Sequence, residues 1–113
     1  MKVIGKSIGL QELKEMAAAM FGDFVKAVID LDRELLAVDA ELHSDLEALL
    51  LQEGSKQKNL WGINLYPEMP GDDFVEFDSM INVRPSQGNR SRGVESPELR
   101  KKIREIVAQR IAR

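Results

Sequence analysis

"FVKAVIDLDRELLAVDA", residues 24–40, decides the fold. Val25, Ala27, Ile29 and Leu31 alternate with Lys26, Val28, Asp30 and Asp32, and Leu36, Val38 and Ala40 alternate with Ala37, Asp39 and Glu41. A period of two sends successive side chains to opposite faces of a strand, so the stretch predicts a hairpin turning near Asp32 to Glu34. The competing reading is one helix from Asp32 to Gln52, because Leu35, Val38, Leu42, Leu46 and Leu49 also fall at helical spacing.

The flanks support the hairpin. Before it, "LQELKEMAAAMFG" sets Leu10, Leu13, Ala17 and Met20 three and four apart and ends at Gly22, which predicts a helix over 10–21. After it, "HSDLEALLLQEGS" predicts a second helix, with Ser44 and Glu47 as a capping box and Gly54 as a left-handed end. "LWGINLYP" (60–67) and "DFVEFDSMINVRP" (73–85) alternate like strands and are joined by the turn-forming "EMPGD". "SPELRKKIREIVAQRIAR" predicts a third helix with Ser96 as N-cap and Pro97 at its first position, its apolar stripe running through Leu99, Ile103, Ile106, Val107 and Ile111. With a short strand at Lys2 to Lys6 as an addition, the order is helix, strand, strand, helix, strand, strand, helix. The expectation is α+β: four antiparallel strands in one sheet whose apolar face the helices cover.

A chain of 113 residues suits one domain, residues 1–113. The absence of cysteine excludes a disulfide framework, a thiolate metal site and a cysteine nucleophile. The first sixteen residues carry a charge every few positions, unlike a signal peptide, and no apolar run approaches the roughly 20 residues that cross a bilayer. The reading is a cytoplasmic protein with no membrane contact.

Charge is unevenly placed. Residues 30–53 hold eight acids against Arg33, residues 67–78 add five more, and the bases gather late, although the whole chain nets only −3. "INVRPSQGNRSRGVESPE" (81–98) brings Arg84, Arg90 and Arg92 together with Gln87, Asn89 and glycines, just ahead of the third helix. Guanidinium forks, amide donors and a helix N-terminus are the parts of carboxylate and phosphate sites. The same arginines are equally suited to pairing with the acids and holding the loop down. Neither a Walker loop nor a dinucleotide-binding glycine turn is present.

His43, the single histidine, stands one helical turn from Glu47, a spacing that orients an imidazole against a carboxylate. A metal there would need Asp39, Glu41 or Asp45 to complete its shell, so no metal and no cofactor are expected. In "NLWGINLYPE", Trp61, Ile63 and Leu65 share one strand face, and Gly62, Asn64 and Tyr66 the other. Acidic flanks and a sequence pI near 5.2 argue against general nucleic-acid binding, despite Arg100, Lys101, Arg104 and Arg110 on the last helix.

"ELHSDLEALLLQEGS", "LWGINLYP" and "SMINVRPSQGNRSRGVE" together resemble a small family of bacterial and archaeal proteins catalogued as a domain of unknown function, over nearly the full chain. The resemblance implies that His43, Asp45, Glu47, Trp61, Gly62, Asn64, Asn82, Arg84, Gln87, Asn89, Arg90 and Arg92 belong together as a signature. It implies no activity or ligand. Ser44 stands where the family carries alanine.

Three readings follow. The first is a binding module in which Arg84, Arg90 and Arg92 clamp an anionic ligand or an acidic partner surface, with Gln87, Asn89 and Asn64 adding polar contacts and Tyr66 an alternative wall. The second is a hydrolase with His43 as base and Glu47 as its orienter, which requires His43 to share a cleft with Arg84 or Arg90. The third is a homodimer in which the acidic belt meets the basic helix.

Overall fold

The computed structural model describes residues 1–113. Along the chain run β1 (Lys2–Ile4), β2 (Ile8–Gly9), α1 (Leu10–Ala19), β3 (Val25–Asp30), β4 (Leu35–Val38), α2 (His43–Gln52), β5 (Leu60–Leu65), β6 (Val75–Glu76), α3 (Pro97–Arg110) and β7 (Ile111–Ala112). The fold is α+β. The hairpin reading holds: β3 and β4 pair antiparallel, with Ala27 opposite Val38 and Asp30 opposite Leu35, and the single-helix alternative is excluded.

Asp30 at the end of β3 is fully buried and fixes the turn. Its carboxylate accepts from the backbone N–H groups of Asp32 and Arg33, each at 2.9 Å, and from the Ser55 hydroxyl at 2.6 Å. One carboxylate thus ties the hairpin turn to the segment after α2. α1 ends as its glycine predicts, with Gly22 at φ +97° donating its N–H to the Ala17 carbonyl.

The sheet has strand order β1-β4-β3-β5-β6, and all its neighbours pair antiparallel. It is covered on both faces, not on one. Val25, Ala27, Ile29, Leu36, Val38, Trp61, Ile63 and Leu65 pack with Leu13 and Ala17 of α1 and Ile103, Ile106 and Val107 of α3. On the reverse, Val28, Ala37 and Leu60 pack with Leu46 and Leu50 of α2. Val28 and Ala37 had the apolar character to announce this second core within otherwise polar positions of the alternation.

Three further expectations are corrected. The strand predicted over 73–85 exists only at Val75–Glu76; Gly71–Phe74 and Met80–Asn82 are 3-10 turns. A side chain takes over the pairing that the missing strand would have made. The Gly62 N–H donates to Asn82 Oδ1 at 2.8 Å, and Asn82 Nδ2 donates to the Gly62 carbonyl at 2.9 Å. The Asn82 carboxamide therefore satisfies both polar groups of one peptide position on the outer edge of β5, as a strand would.

The second correction concerns α2, which starts at His43 after an extended Leu42 that makes no side-chain cap, so the Ser44–Glu47 capping box does not form. The His43 ring instead anchors the first turn to β5. Ser96, by contrast, caps α3 as expected, accepting from the Leu99 N–H. The third correction is β7, which follows α3 directly and pairs in parallel with β2, Ile8 beside Ile111. Arg110 reinforces this closure by donating to the backbone carbonyls of Glu34 and Lys6.

Candidate functional site

The arginine loop is mostly self-supporting. Arg84 lies over the Trp61 ring, 4.6 Å from its centroid, and donates from Nε to the Ile81 carbonyl and from Nη1 to the Gln57 carbonyl, while Nη2 reaches the Leu60 carbonyl. Burial pushes its guanidinium pKa down, and the Glu47 carboxylate opposes that shift. Gln87 bridges Arg84 and the Lys58 carbonyl. Asn89 is buried and donates to the carbonyls of Asn82, Ser91 and Gly93 while accepting from the Glu95 N–H. Three of the six ligand candidates, Arg84, Gln87 and Asn89, are thus occupied in holding the loop against β5.

Arg90 is exposed, and its backbone N–H, with that of Ser91, donates to Glu95. Those two bonds hold the Glu95 carboxyl below its usual pKa. Glu47, one turn along α2 from His43, makes no hydrogen bond to the imidazole, and its charge acts on Arg84. The Ile63 carbonyl orients the imidazole, accepting from His43 Nε2–H at 2.8 Å.

The remaining candidates converge elsewhere. His43 and Arg92 line one cleft of about 160 Å³ together with Lys26, Ser44 and Ser79, with Leu42, Met80 and Ile81 as its apolar rim. Neither Arg84 nor Arg90 is in it, so the pairing that the hydrolase reading required is not assembled. β3 contributes Lys26, which stands directly opposite Asn64 of β5, which in turn stands opposite Glu76 of β6. Asn64 is 6% exposed and donates to Glu76 at 2.9 Å and to the Asp78 carbonyl at 3.3 Å. Both partners are acceptors, which fixes the amide orientation and leaves the buried Oδ1 with no partner.

The cleft is cationic. Lys26 forms no ion pair; its ammonium lies 5.1 Å from the Phe21 ring centroid. Arg92 meets Asp78 only through Nε, at 2.7 Å, which leaves its two terminal nitrogens without a protein partner. Lys26 and Ser79 carried no functional signal in the sequence: the lysine reads as the outward residue of an alternating strand, and the serine as a turn residue.

His43 is 8% exposed. Desolvation lowers its pKa from 6.5, and the Lys26 charge adds to that, against the raising effects of the Ile63 carbonyl, Asn64 and Asp78. A base whose folded-state pKa is depressed binds fewer protons folded than unfolded, so its contribution to stability is complete above about 6.5 and is lost as pH falls below it. Urea midpoints measured between about pH 8 and pH 5 should therefore decline through this window, and His43→Gln should flatten that part of the decline. An unchanged profile in the variant would overturn the assignment to His43, because a depressed carboxyl such as Glu95 acts only below about 4.5.

A second, open cleft of about 620 Å³ is lined by Asp23, Asp72, Asp73 and Glu76 around Tyr66, with Arg104 at its side. Tyr66 donates to Glu76 there at 3.2 Å and takes no part in the His43 cleft. The basic face of α3 is partly engaged within the chain: Arg100 and Arg104 lie over the Phe77 ring. No helix is long and apolar enough to cross a membrane.

Residues 2–110 match the family described as "Protein of unknown function (DUF5674)". The chain belongs to DUF5674. The match spans β1 through α3 and so includes the arginine loop, the His43 cleft and the Asn82 plug of this DUF5674 member. Comparison with curated proteins and with solved structures finds no match.

Proposed function

We propose that the protein is a binding module for a small anion, held in the cleft between Lys26 and Arg92. The observation that carries this reading is the pair of cations with unsatisfied donors on a cleft that also holds the buried His43 and the Ser79 hydroxyl. Two cations and no acidic side chain on the lining of this cleft support an anion as its ligand. Arg92 keeps its binding role in this reading, His43 becomes a wall of the site, and Asn64 stands behind the imidazole and not in the cleft. Arg84, Gln87 and Asn89 act by fixing the loop that carries Arg92.

Size limits the ligand. A cleft of about 160 Å³ is below the roughly 300–1,000 Å³ of sites for drug-sized molecules, so an oxyanion or a single carboxylate or phosphoryl group fits and a whole nucleotide does not. NMR titration with inorganic phosphate at low salt should move the amide signals of Lys26, His43, Ser79 and Arg92. Lys26→Ala and Arg92→Ala should each weaken binding about tenfold, equivalent to roughly 1.4 kcal/mol, while Arg90→Ala leaves it unchanged. Shifts centred on Arg90, or none at all, would overturn the proposal.

A further inference from the structure

One group of the cleft accepts hydrogen bonds and cannot donate them. The Ile63 carbonyl takes the Nε2 proton of His43, so in the neutral ring Nδ1 carries a lone pair, and no donor of the protein reaches it. Beside the ring lies Asn64, whose Nδ2 is committed to Glu76 and the Asp78 carbonyl and so is not free to donate to the imidazole. An acceptor that gives up water without gaining a donor is costly, and Nδ1 belongs to a residue lining a cleft whose charge calls for an anion. A bare oxyanion would bring only more lone pairs to it. An anion that carries its own proton meets both demands, offering oxygens to Lys26 and Arg92 and an O–H to the acceptor side.

Resting on the anion reading above, we infer that the cleft selects hydrogen phosphate, an oxyanion that keeps a proton, over oxyanions of the same charge and shape that have none. Sulfate is the sharp comparison. At about pH 8 hydrogen phosphate and sulfate are both tetrahedral dianions and differ by one O–H, while a phosphate monoester such as methyl phosphate has lost its second proton, whose pKa is about 6. Lys26 and Arg92 cannot tell these three apart by charge. Nδ1 of His43 can, because it hydrogen-bonds the first and repels the others. Sites built around a substrate hydroxyl discriminate strongly against an analogue that lacks it, since a buried partner is then left unpaired.

The test is calorimetric titration of the full chain at about pH 8 with inorganic phosphate, sulfate and methyl phosphate. Phosphate should bind at least about tenfold more tightly than either of the others, and His43→Gln, whose amide can donate as well as accept, should bring the phosphate-to-sulfate ratio towards one. In the wild-type protein the 15N signal of His43 Nδ1 should move on adding phosphate while the ring stays neutral. Equal binding of phosphate and sulfate would overturn the selectivity and leave the anion site standing. Tight methyl phosphate binding would shift the assignment to a phosphoryl group on a larger molecule. Binding of none of the three would remove both readings. The wild-type comparison decides the matter even if the variant does not fold.

Discussion

Asn82→Ala is expected to destabilise the protein by about 4 kcal/mol and to lower Tm by more than about 10 °C. Asn82 is fully buried, and its carboxamide serves the Gly62 N–H, the Gly62 carbonyl and the Arg92 carbonyl. Removing it leaves the buried Gly62 N–H and carbonyl without partners, each costing about 1–3 kcal/mol, while the Arg92 carbonyl keeps the Ser79 N–H. Against a total stability of about 5–15 kcal/mol, that is a large share. Asn82→Asp is the informative companion: its carboxylate still accepts from the Gly62 N–H but sets a charge against two carbonyls, so the variant should fare little better. Denaturant unfolding of both reads the result, and a loss under about 1 kcal/mol for alanine would mean that water replaces the amide.

Gly62→Ala should be nearly as severe for a different reason. A Cβ at this position would lie 2.5 Å from Ser79 Cβ, 2.6 Å from Ser79 Oγ and 3.1 Å from Ile81 Cγ1. Ser79 is 1% exposed and its backbone N–H is bonded to the Arg92 carbonyl, so the segment cannot simply step back. The expected loss is about 3 kcal/mol, at the upper end of ordinary overpacking. Ser79→Gly in the same chain vacates the collision, and the double variant should recover at least about 1 kcal/mol of the loss. Strict additivity of the two changes would show that the backbone, not the serine side chain, resists the methyl group. Both substitutions act on the wall that carries Ser79 and Arg92, so partly folded variants should also lose phosphate binding.

The α+β architecture was legible because its signals are local. Strand β5 combines period two with β-branched and aromatic residues, and α3 carries a cap, a proline and an apolar stripe that agree with one another. The second strand of the 60–85 region was misread because Phe74, Glu76 and Asp78 alternate with Val75, Phe77 and Ser79, a pattern that successive 3-10 turns fill as readily as a strand does. Nothing in the sequence says that an asparagine will stand in for a peptide. β7 was hidden because Ile111 falls on the helical stripe of Leu99, Ile103 and Val107, and only its partner Ile8, far away in sequence, draws it out of the helix.

The candidate site was half legible for a related reason. His43 and Arg92 converge on one cleft, but Arg84, Gln87 and Asn89 have the same donors and a different occupation. Hydrogen-bonding capacity is written in the residue type, whereas the demand for it comes from backbone carbonyls of Leu60, Gln57, Lys58 and Asn82 that only the tertiary structure exposes. Lys26 illustrates the converse. Its place across from Asn64 follows from the register of β3 on β5, which no single stretch contains.

The pairing of β2 with β7 has a kinetic consequence. It joins residues about one hundred positions apart, whereas the β3–β4 hairpin closes over four, so the two events belong to different stages of folding. Loop-closure entropy rises only by roughly 0.6 kcal/mol per doubling of length, which makes the long closure slow to find and inexpensive to keep. The hairpin and its two covering layers are thus expected to assemble first, with the ends fastened last and opening first. Amide exchange should see this as faster exchange in the short β2–β7 ladder than at Val28 or Ile63, a clasp that breathes while the sheet behind it stays shut.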